Sequence, residues 1–357
     1  MVPQLVQAKE QLENAEVGDR YDTSDVLGEG TYGKVVLVRC RHTDNKLALK
    51  QLNKSRVSFK DYKREFNYSY FLSAHPNVVT TYTVTFHSQT HWVFVQEFCP
   101  NGDLLNFVKP HSGIGVQPTK LVVRQLASVL TFMHSKNICH RDIKPENILL
   151  FNKHSWTIKL TDFGLACKVD TVVRRNSGNT LYTPPEVCDM VRNEGFRAST
   201  SADVWQTGIT MYCLLTGAFP WDSASINDDR LYRQFVNWSR AKTRHLPTRW
   251  KGFSGKLLKL FKKLLHPTSD SRSSVSAIFK YIDTEWQNDM HRDCGAVSTS
   301  TQEDDDDKLQ LRAKEELRNK LTERGVLTKV TKSFKQARIN DWIESIGSAE
   351  GDSASSS

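Results

Sequence analysis

A chain of 357 residues exceeds a typical single globular core and suits two domains, or one two-lobed domain with extensions. Apolar residues at 38% and charged residues at 25% exclude wholesale disorder, and no apolar run approaches the roughly 20 residues that span a bilayer. A formal charge of +9 without a basic block interleaved with aromatics reads as solvated surface rather than as a nucleic-acid site.

Residues 1–20 read as a polar leader, helical in part, with neither the basic start nor the apolar stretch of a secretory signal, so a cytoplasmic location is expected. From Tyr21 to Gln96 short β-rich runs alternate with glycine and polar breaks, the pattern of an antiparallel sheet. Phe59 to Ser73 interrupts that pattern with charged and aromatic residues at helical spacing, which predicts one helix packed on the sheet. After Gly102 the character changes. Val122, Leu126, Val129, Leu130 and Met133 form one apolar helical stripe, and VWQTGITMYCLLTG is apolar all round, as a helix at the centre of a domain must be. Residues 291–357 have a composition that cannot bury enough apolar surface to fold alone, running through STSTQEDDDDK into a Lys/Arg/Glu-rich stretch. Within that tail Leu317, Leu321, Val330 and Phe334, then Ile339, Trp342, Ile343 and Ile346, fall at helical intervals, which fits either docking amphipathic helices or a partly helical solvated tail. The seven cysteines, Cys40, Cys99, Cys139, Cys167, Cys188, Cys213 and Cys294, are odd in number and lack C-x-x-C spacing, so reduced thiols are expected rather than disulfides or a zinc site.

Three motifs carry chemistry. In Gly28-Glu29-Gly30-Thr31-Tyr32-Gly33-Lys34-Val35 the glycines let backbone N–H groups approach phosphates without Cβ clashes. A strand (VVLVRC) follows this loop, so the dinucleotide reading, which needs a helix there, gives way to a loop lying over a nucleotide. Lys50 closes the apolar strand Leu47-Ala48-Leu49 and must find negative charge, because a buried unpaired ammonium is costly. The third motif is CHRDIKPENILL followed by LTDFG, an ordered set of ionisable and amide side chains too long to arise by chance.

On these residues the chain, from about Tyr21 to Trp286, resembles the eukaryotic serine/threonine protein kinases, and within them most closely the SH3-domain-binding kinases on FLSAHP, TFMHS, HRDIKPEN and LLTG-x-FPW. The resemblance implies an α+β two-lobed kinase fold spanning residues 21–290: a small antiparallel lobe of about 21–98 with one main helix, and a larger, mainly helical lobe of about 99–290. It implies ATP and Mg²⁺ as cofactors and protein hydroxyls as acceptors, with Asp142 orienting the hydroxyl, Lys144 steadying the γ-phosphate, and Asn147 and Asp162 holding metal. Lys50 is the phosphate-binding lysine and Glu65 its orienting partner. The adenine pocket falls on Leu27, Val35, Ala48 and Leu149, with Gln96 before a hinge whose Glu97 and Cys99 present backbone groups. Glu186 in Tyr182-Thr183-Pro184-Pro185-Glu186 is expected to pair with Arg272, Asp203 to hold the catalytic-loop backbone, and Arg141 to form a positive pocket. Asp103 and Glu146 stand where related enzymes grip an arginine three residues before the acceptor, while Cys213 replaces a further acidic position.

Three positions depart from the family pattern, and one further feature bears on activation. Asn179 replaces a threonine that bridges the substrate loop to the catalytic residues. Ser69 replaces an apolar residue that packs the helix on Phe163, which weakens the expected active arrangement. Pro184 replaces an alanine, and the usual phosphoacceptor positions hold Arg174 and Arg175. A pseudokinase scaffold is therefore the rival reading, although Lys50, Asp142 and Asp162 are all retained. No proline follows Pro267, so SH3 binding is not carried over.

Overall fold

Strand-forming residues build the first lobe, with residues 36–38 and 93–96 buried in continuous runs. In the computed structural model, which describes residues 12–175, 181–190, 194–241, 243 and 245–287, it contains β1 (Glu13–Asn14), a helical turn α1 (Val17–Arg20), β2 (Tyr21–Glu29), β3 (Gly33–Cys40), β4 (Lys46–Asn53), α2 (Phe59–Leu72), β5 (Thr81–His87) and β6 (His91–Glu97). The sheet order is β1-β5-β6-β4-β3-β2, antiparallel except for β1, which joins β5 in parallel. Part of the stretch read as a leader thus contributes a short strand and a single helical turn. The expectations for Asn179 and for 291–357 lie outside the described residues.

Helix α2 begins where the Ser58 hydroxyl accepts the Asp61 N–H at 3.2 Å and ends one residue before Ser73, as its periodicity predicts. Its aromatic face, Tyr62 and Phe66, packs with Leu52, Val57 and Phe94 in one small core. The opposite need, a polar group facing the cleft, is met by Glu65, which is buried on the same helix.

The second lobe comprises α3 (Val116–His134), β7 (Ile138–Cys139), β8 (Ile148–Asn152), β9 (Thr157–Leu160), β10 (Cys167–Lys168), β11 (Val172–Arg174), α4 (Pro185–Cys188), β12 (Gly195–Arg197), α5 (Thr200–Thr216), α6 (Arg230–Ser239) and α7 (Gly255–Leu264). The expected stripe of α3 is fully buried, and α5 is buried from Asp203 to Leu214, as an all-round apolar helix requires. Trp205, Trp221, Trp250 and Trp286 have no significant exposure, and each such indole contributes several kcal/mol by burial, about 3–5 as judged by truncation to alanine. Three two-stranded antiparallel ladders complete the lobe: β7 with β10, β8 with β9 and β11 with β12.

Candidate active site

The glycine loop is the turn between β2 and β3. Gly30 N–H donates to the Gly33 carbonyl at 2.8 Å and closes it. Gly33 admits no side chain, since a Cβ there would lie 1.9 Å from the Gln51 carbonyl oxygen, whereas a Cβ on Gly28 would meet nothing within 4 Å. One glycine is therefore needed for packing, and the other leaves the loop bare over the cleft. Two contacts hold the tip: Arg56 Nη1 donates to the Thr31 carbonyl at 2.8 Å, and the Asn53 N–H to the Tyr32 carbonyl at 2.8 Å. Neither Arg56 nor Asn53 stands out in the sequence.

Lys50 pairs with Val35 on β3 and Phe94 on β6, so its side chain rises from the middle of the sheet. Its ammonium ion pairs with Glu65 and lies 3.0 Å from Asp162 Oδ1. The chain therefore adopts the joined arrangement despite Ser69, which is buried on α2. Burial acts to raise the Asp162 carboxyl, but the Lys50 ammonium overrides it and holds the group well below the usual carboxylate range. Lys50 correspondingly stays charged, burial being outweighed by Asp162 and Glu65.

The catalytic loop hangs from α5. Asp203 Oδ1 accepts the Arg141 N–H at 2.7 Å, and Oδ2 accepts the His140 N–H and faces His134 Nε2, both at 2.9 Å. Burial alone would raise the Asp203 carboxyl, yet these partners lower it. One turn on, Gln206 Oε1 accepts the Ile143 N–H at 3.0 Å while its Nε2 donates to the Arg141 carbonyl at 3.0 Å. These clamps hold Arg141 at φ 70°, a left-handed backbone costly for a residue with a Cβ; Asp162 is held similarly at φ 65°.

Within the loop Asp142 Oδ2 lies 2.8 Å from Lys144 Nζ and accepts from Asn147 Nδ2 at 2.9 Å. That orientation of Asn147 turns its amide carbonyl away from Asp142. Thr161 N–H donates to the Asn147 carbonyl at 3.0 Å, tying the loop to the segment between β9 and Asp162. All the expected residues of phosphoryl transfer thus meet at one place: Lys50, Glu65, Asp142, Lys144, Asn147 and Asp162.

The apolar candidates surround the same cleft. Leu27 sits at a bulge in β2 and is exposed, Val35 and Leu149 are half-buried, and Ala48 is buried. Gln96 is buried, with Nε2 donating to Thr81 Oγ1 at 3.0 Å. The Glu97 side chain accepts the Thr80 N–H and ion pairs with Lys159 at 2.6 Å, a bridge across the lobes that sequence spacing could not reveal. Cys99 is buried, and its thiol is pushed up to about 12 by burial.

Beneath the cleft, Glu186 of α4 and Arg272 form a bidentate pair at 2.9 and 2.8 Å, the geometry expected of a charge-assisted fork. Arg272 also donates to the carbonyls of Ser201 and His266 and lies over the Trp205 ring. Glu146 is in a different state. Both of its carboxylate oxygens are buried without a hydrogen-bond partner among the described residues, and burial pushes its carboxyl up to about 8. Asp103 is near enough to add to that shift, and its own Oδ1 accepts the Asn106 N–H at 3.2 Å.

A lysine poised between two carboxylates under a bare glycine loop, facing a carboxylate–lysine–amide cluster, is the constellation of a phosphotransferase. The protein kinase domain pattern matches residues 21–282, and the chain belongs to that family. It is similar to serine/threonine-protein kinase SBK1 of Danio rerio, 39% identical over 78% of this chain and 72% of that protein, and to SBK1 of Mus musculus, 39% identical over 79% and 67%. Serine/threonine-protein kinase SBK2 of Homo sapiens is 35% identical over 77% of this chain and 80% of its own length. The chain is a serine/threonine protein kinase, catalysing ATP-dependent phosphoryl transfer to protein substrates. Among the described residues no helix is long and apolar enough to cross a membrane.

Proposed function

We propose that the chain transfers the γ-phosphoryl group of MgATP through the residues brought together above. The carrying observation is the Lys50 ammonium held by Glu65 and Asp162. Residues Gly28 to Val35 cover the phosphates, Lys50 contacts the α- and β-phosphates, and Leu27, Val35, Ala48 and Leu149 enclose the adenine, whose edge meets the backbone of Glu97 and Cys99 beside Gln96. Asp142 orients the acceptor hydroxyl and takes its proton late, once that proton has become acidic in the transition state. Lys144 stabilises charge spreading over the transferred group.

Asp162 and the outward carbonyl of Asn147 fit Mg²⁺, a hard cation that binds one or two protein oxygens and completes its shell with phosphate oxygens and water. When bound, Mg²⁺ neutralises phosphate charge. Arg141, Glu186, Asp203 and Arg272 position these groups without touching the reacting atoms. We also place the protein in the cytoplasm, where its scattered single thiols would stay reduced; the six described cysteines are unpaired.

MgATP at a hundred times its dissociation constant adds about 2.7 kcal/mol to stability, a rise of several degrees in melting temperature. Lys50→Met is expected to abolish activity while the chain remains folded, because a Glu65 left alone can take up a proton. An unchanged melting temperature at millimolar MgATP would refute nucleotide binding.

The substrate side of the site favours an arginine three residues before the acceptor, gripped by Glu146 and Asp103, with Asn179 assisting the acceptor loop. The buried Glu146 carboxyl holds a proton near neutrality. A guanidinium must displace that proton, so KM for an arginine peptide should fall as pH rises towards about 8. The sign for stability is opposite: the unfolded chain releases the proton above the ordinary carboxyl value of 4.5, so stability declines as pH rises from there to about 8. Glu146→Gln should therefore raise the melting temperature at pH about 8 while weakening selection for arginine. A positional peptide library that selects acidic residues at that place would end this assignment.

A further inference from the structure

The tip of the glycine loop is held from outside its own hairpin. Strand β4 ends at Asn53, and the chain from there to the Ser58 cap of α2 folds into a tight turn. The Asn53 carbonyl accepts the N–H groups of Arg56 at 3.0 Å and Val57 at 2.9 Å, while Asn53 Oδ1 accepts the Ser55 N–H at 2.9 Å and the Ser55 hydroxyl at 2.8 Å. This turn presents the half-buried Arg56 to the loop, where Nη1 donates to the Thr31 carbonyl at 2.8 Å. Among the described residues no carboxylate ion pairs with Arg56, so nothing draws the guanidinium elsewhere.

Residues 30–32 lie beyond the β2–β3 ladder, whose last pair is Glu29 with Lys34, so strand pairing does not set the peptide unit between Thr31 and Tyr32. A trans peptide is planar, with its carbonyl and the following N–H pointing in opposite directions. The Thr31 carbonyl, captured by Arg56, therefore turns the Tyr32 N–H away from the β4–α2 connection. The next unit is fixed in the same sense, since the Tyr32 carbonyl takes the Asn53 N–H at 2.8 Å. The Tyr32 ring packs against the small core of Leu52, Val57, Tyr62, Phe66 and Phe94, which also carries α2.

We propose, resting on the nucleotide binding inferred above, that Arg56 is a positioning residue for phosphoryl transfer: it aims the Tyr32 N–H at the nucleotide phosphates and ties that aim to the placement of α2. Helix α2 bears Glu65, which ion pairs with Lys50. One helix thus sets both the ammonium and the loop amide that meet the phosphates.

Affinities of the full-length protein for MgATP and for adenosine, which has the base and sugar but no phosphate, test this. Arg56→Ala is expected to weaken MgATP binding and raise its KM about tenfold, the order set by losing one hydrogen bond to a charged group. Adenosine affinity should not change, whereas a general loosening of the lobe would weaken both ligands alike. Arg56→Lys keeps a donor for the Thr31 carbonyl and should recover most of the loss. Equal losses for MgATP and adenosine, no loss for either, or a lysine variant no better than alanine would overturn the role of Arg56 and leave nucleotide binding standing. A parent protein that binds MgATP no more tightly than adenosine would overturn the nucleotide reading itself, and the role of Arg56 with it.

Discussion

Asp142→Asn is expected to lower kcat by about 10³-fold, the range in which a positioned base contributes. An amide at this position still accepts a hydrogen bond from Lys144, now 2.8 Å from Oδ2, so the loop keeps its shape. What it loses is the capacity to receive the acceptor hydroxyl's proton and the charge that aligns that hydroxyl. KM for ATP should change little, since the nucleotide contacts proposed for Lys50 and the glycine loop are untouched. Initial rates on a generic protein substrate, with melting curves as a control, distinguish the outcomes. A kcat within about tenfold of the parent would remove Asp142 from the proton-accepting role.

The largest effect on stability should come from Glu186→Ala. Arg272 has a side-chain exposure of 0%, and Glu186 is its only carboxylate partner among the described residues. Removing one member of a buried pair leaves an uncompensated charge, at a cost of about 3–5 kcal/mol. Glu186 is itself 31% exposed, so water can approach the vacated side and the lower end of that range applies. At 2–4 °C per kcal/mol for a domain of this size, the melting temperature should fall by roughly 10 °C. Arg272 keeps its carbonyls from Ser201 and His266 and its place over Trp205, so unfolding is not expected. Glu186→Gln, which preserves one acceptor, should lose less than half as much. Calorimetry showing a shift under about 2 °C for Glu186→Ala would mean that the pair is energetically neutral.

What was readable in the sequence is what local order determines. The glycine loop, the helix of α2 to within one residue and the all-round apolar α5 each follow from spacing along a single element. Lys50, Glu65 and Asp162 are separated in the chain, and only their membership of ordered motifs suggested that they meet. The clamps were invisible because they depend on which backbone groups tertiary packing leaves unsatisfied. Gln206 was read only as part of a buried helix, yet it serves two groups of the catalytic loop; Arg56 and the Glu97–Lys159 bridge are of the same kind. The two residues of β1 are too few to show any period. Ser69 suggests a loosened arrangement, but the ion pairs of Lys50 are formed alongside it, on a helix whose Tyr62 and Phe66 pack against Leu52, Val57 and Phe94.

The parallel pairing of Glu13 and Asn14 with Phe86 and His87 has a consequence for solubility. Strand β5 would otherwise end the sheet with a row of free amide and carbonyl groups, and Tyr82 and Val84 on it are both exposed. Such a border invites another chain to add a strand and seed aggregation. The short β1 and the irregular register between Thr81 and Thr85 blunt it at its two ends. Trimming the protein to begin at Tyr21, where the family match starts, would uncover that border and favour clumping without disturbing a single residue of the cleft.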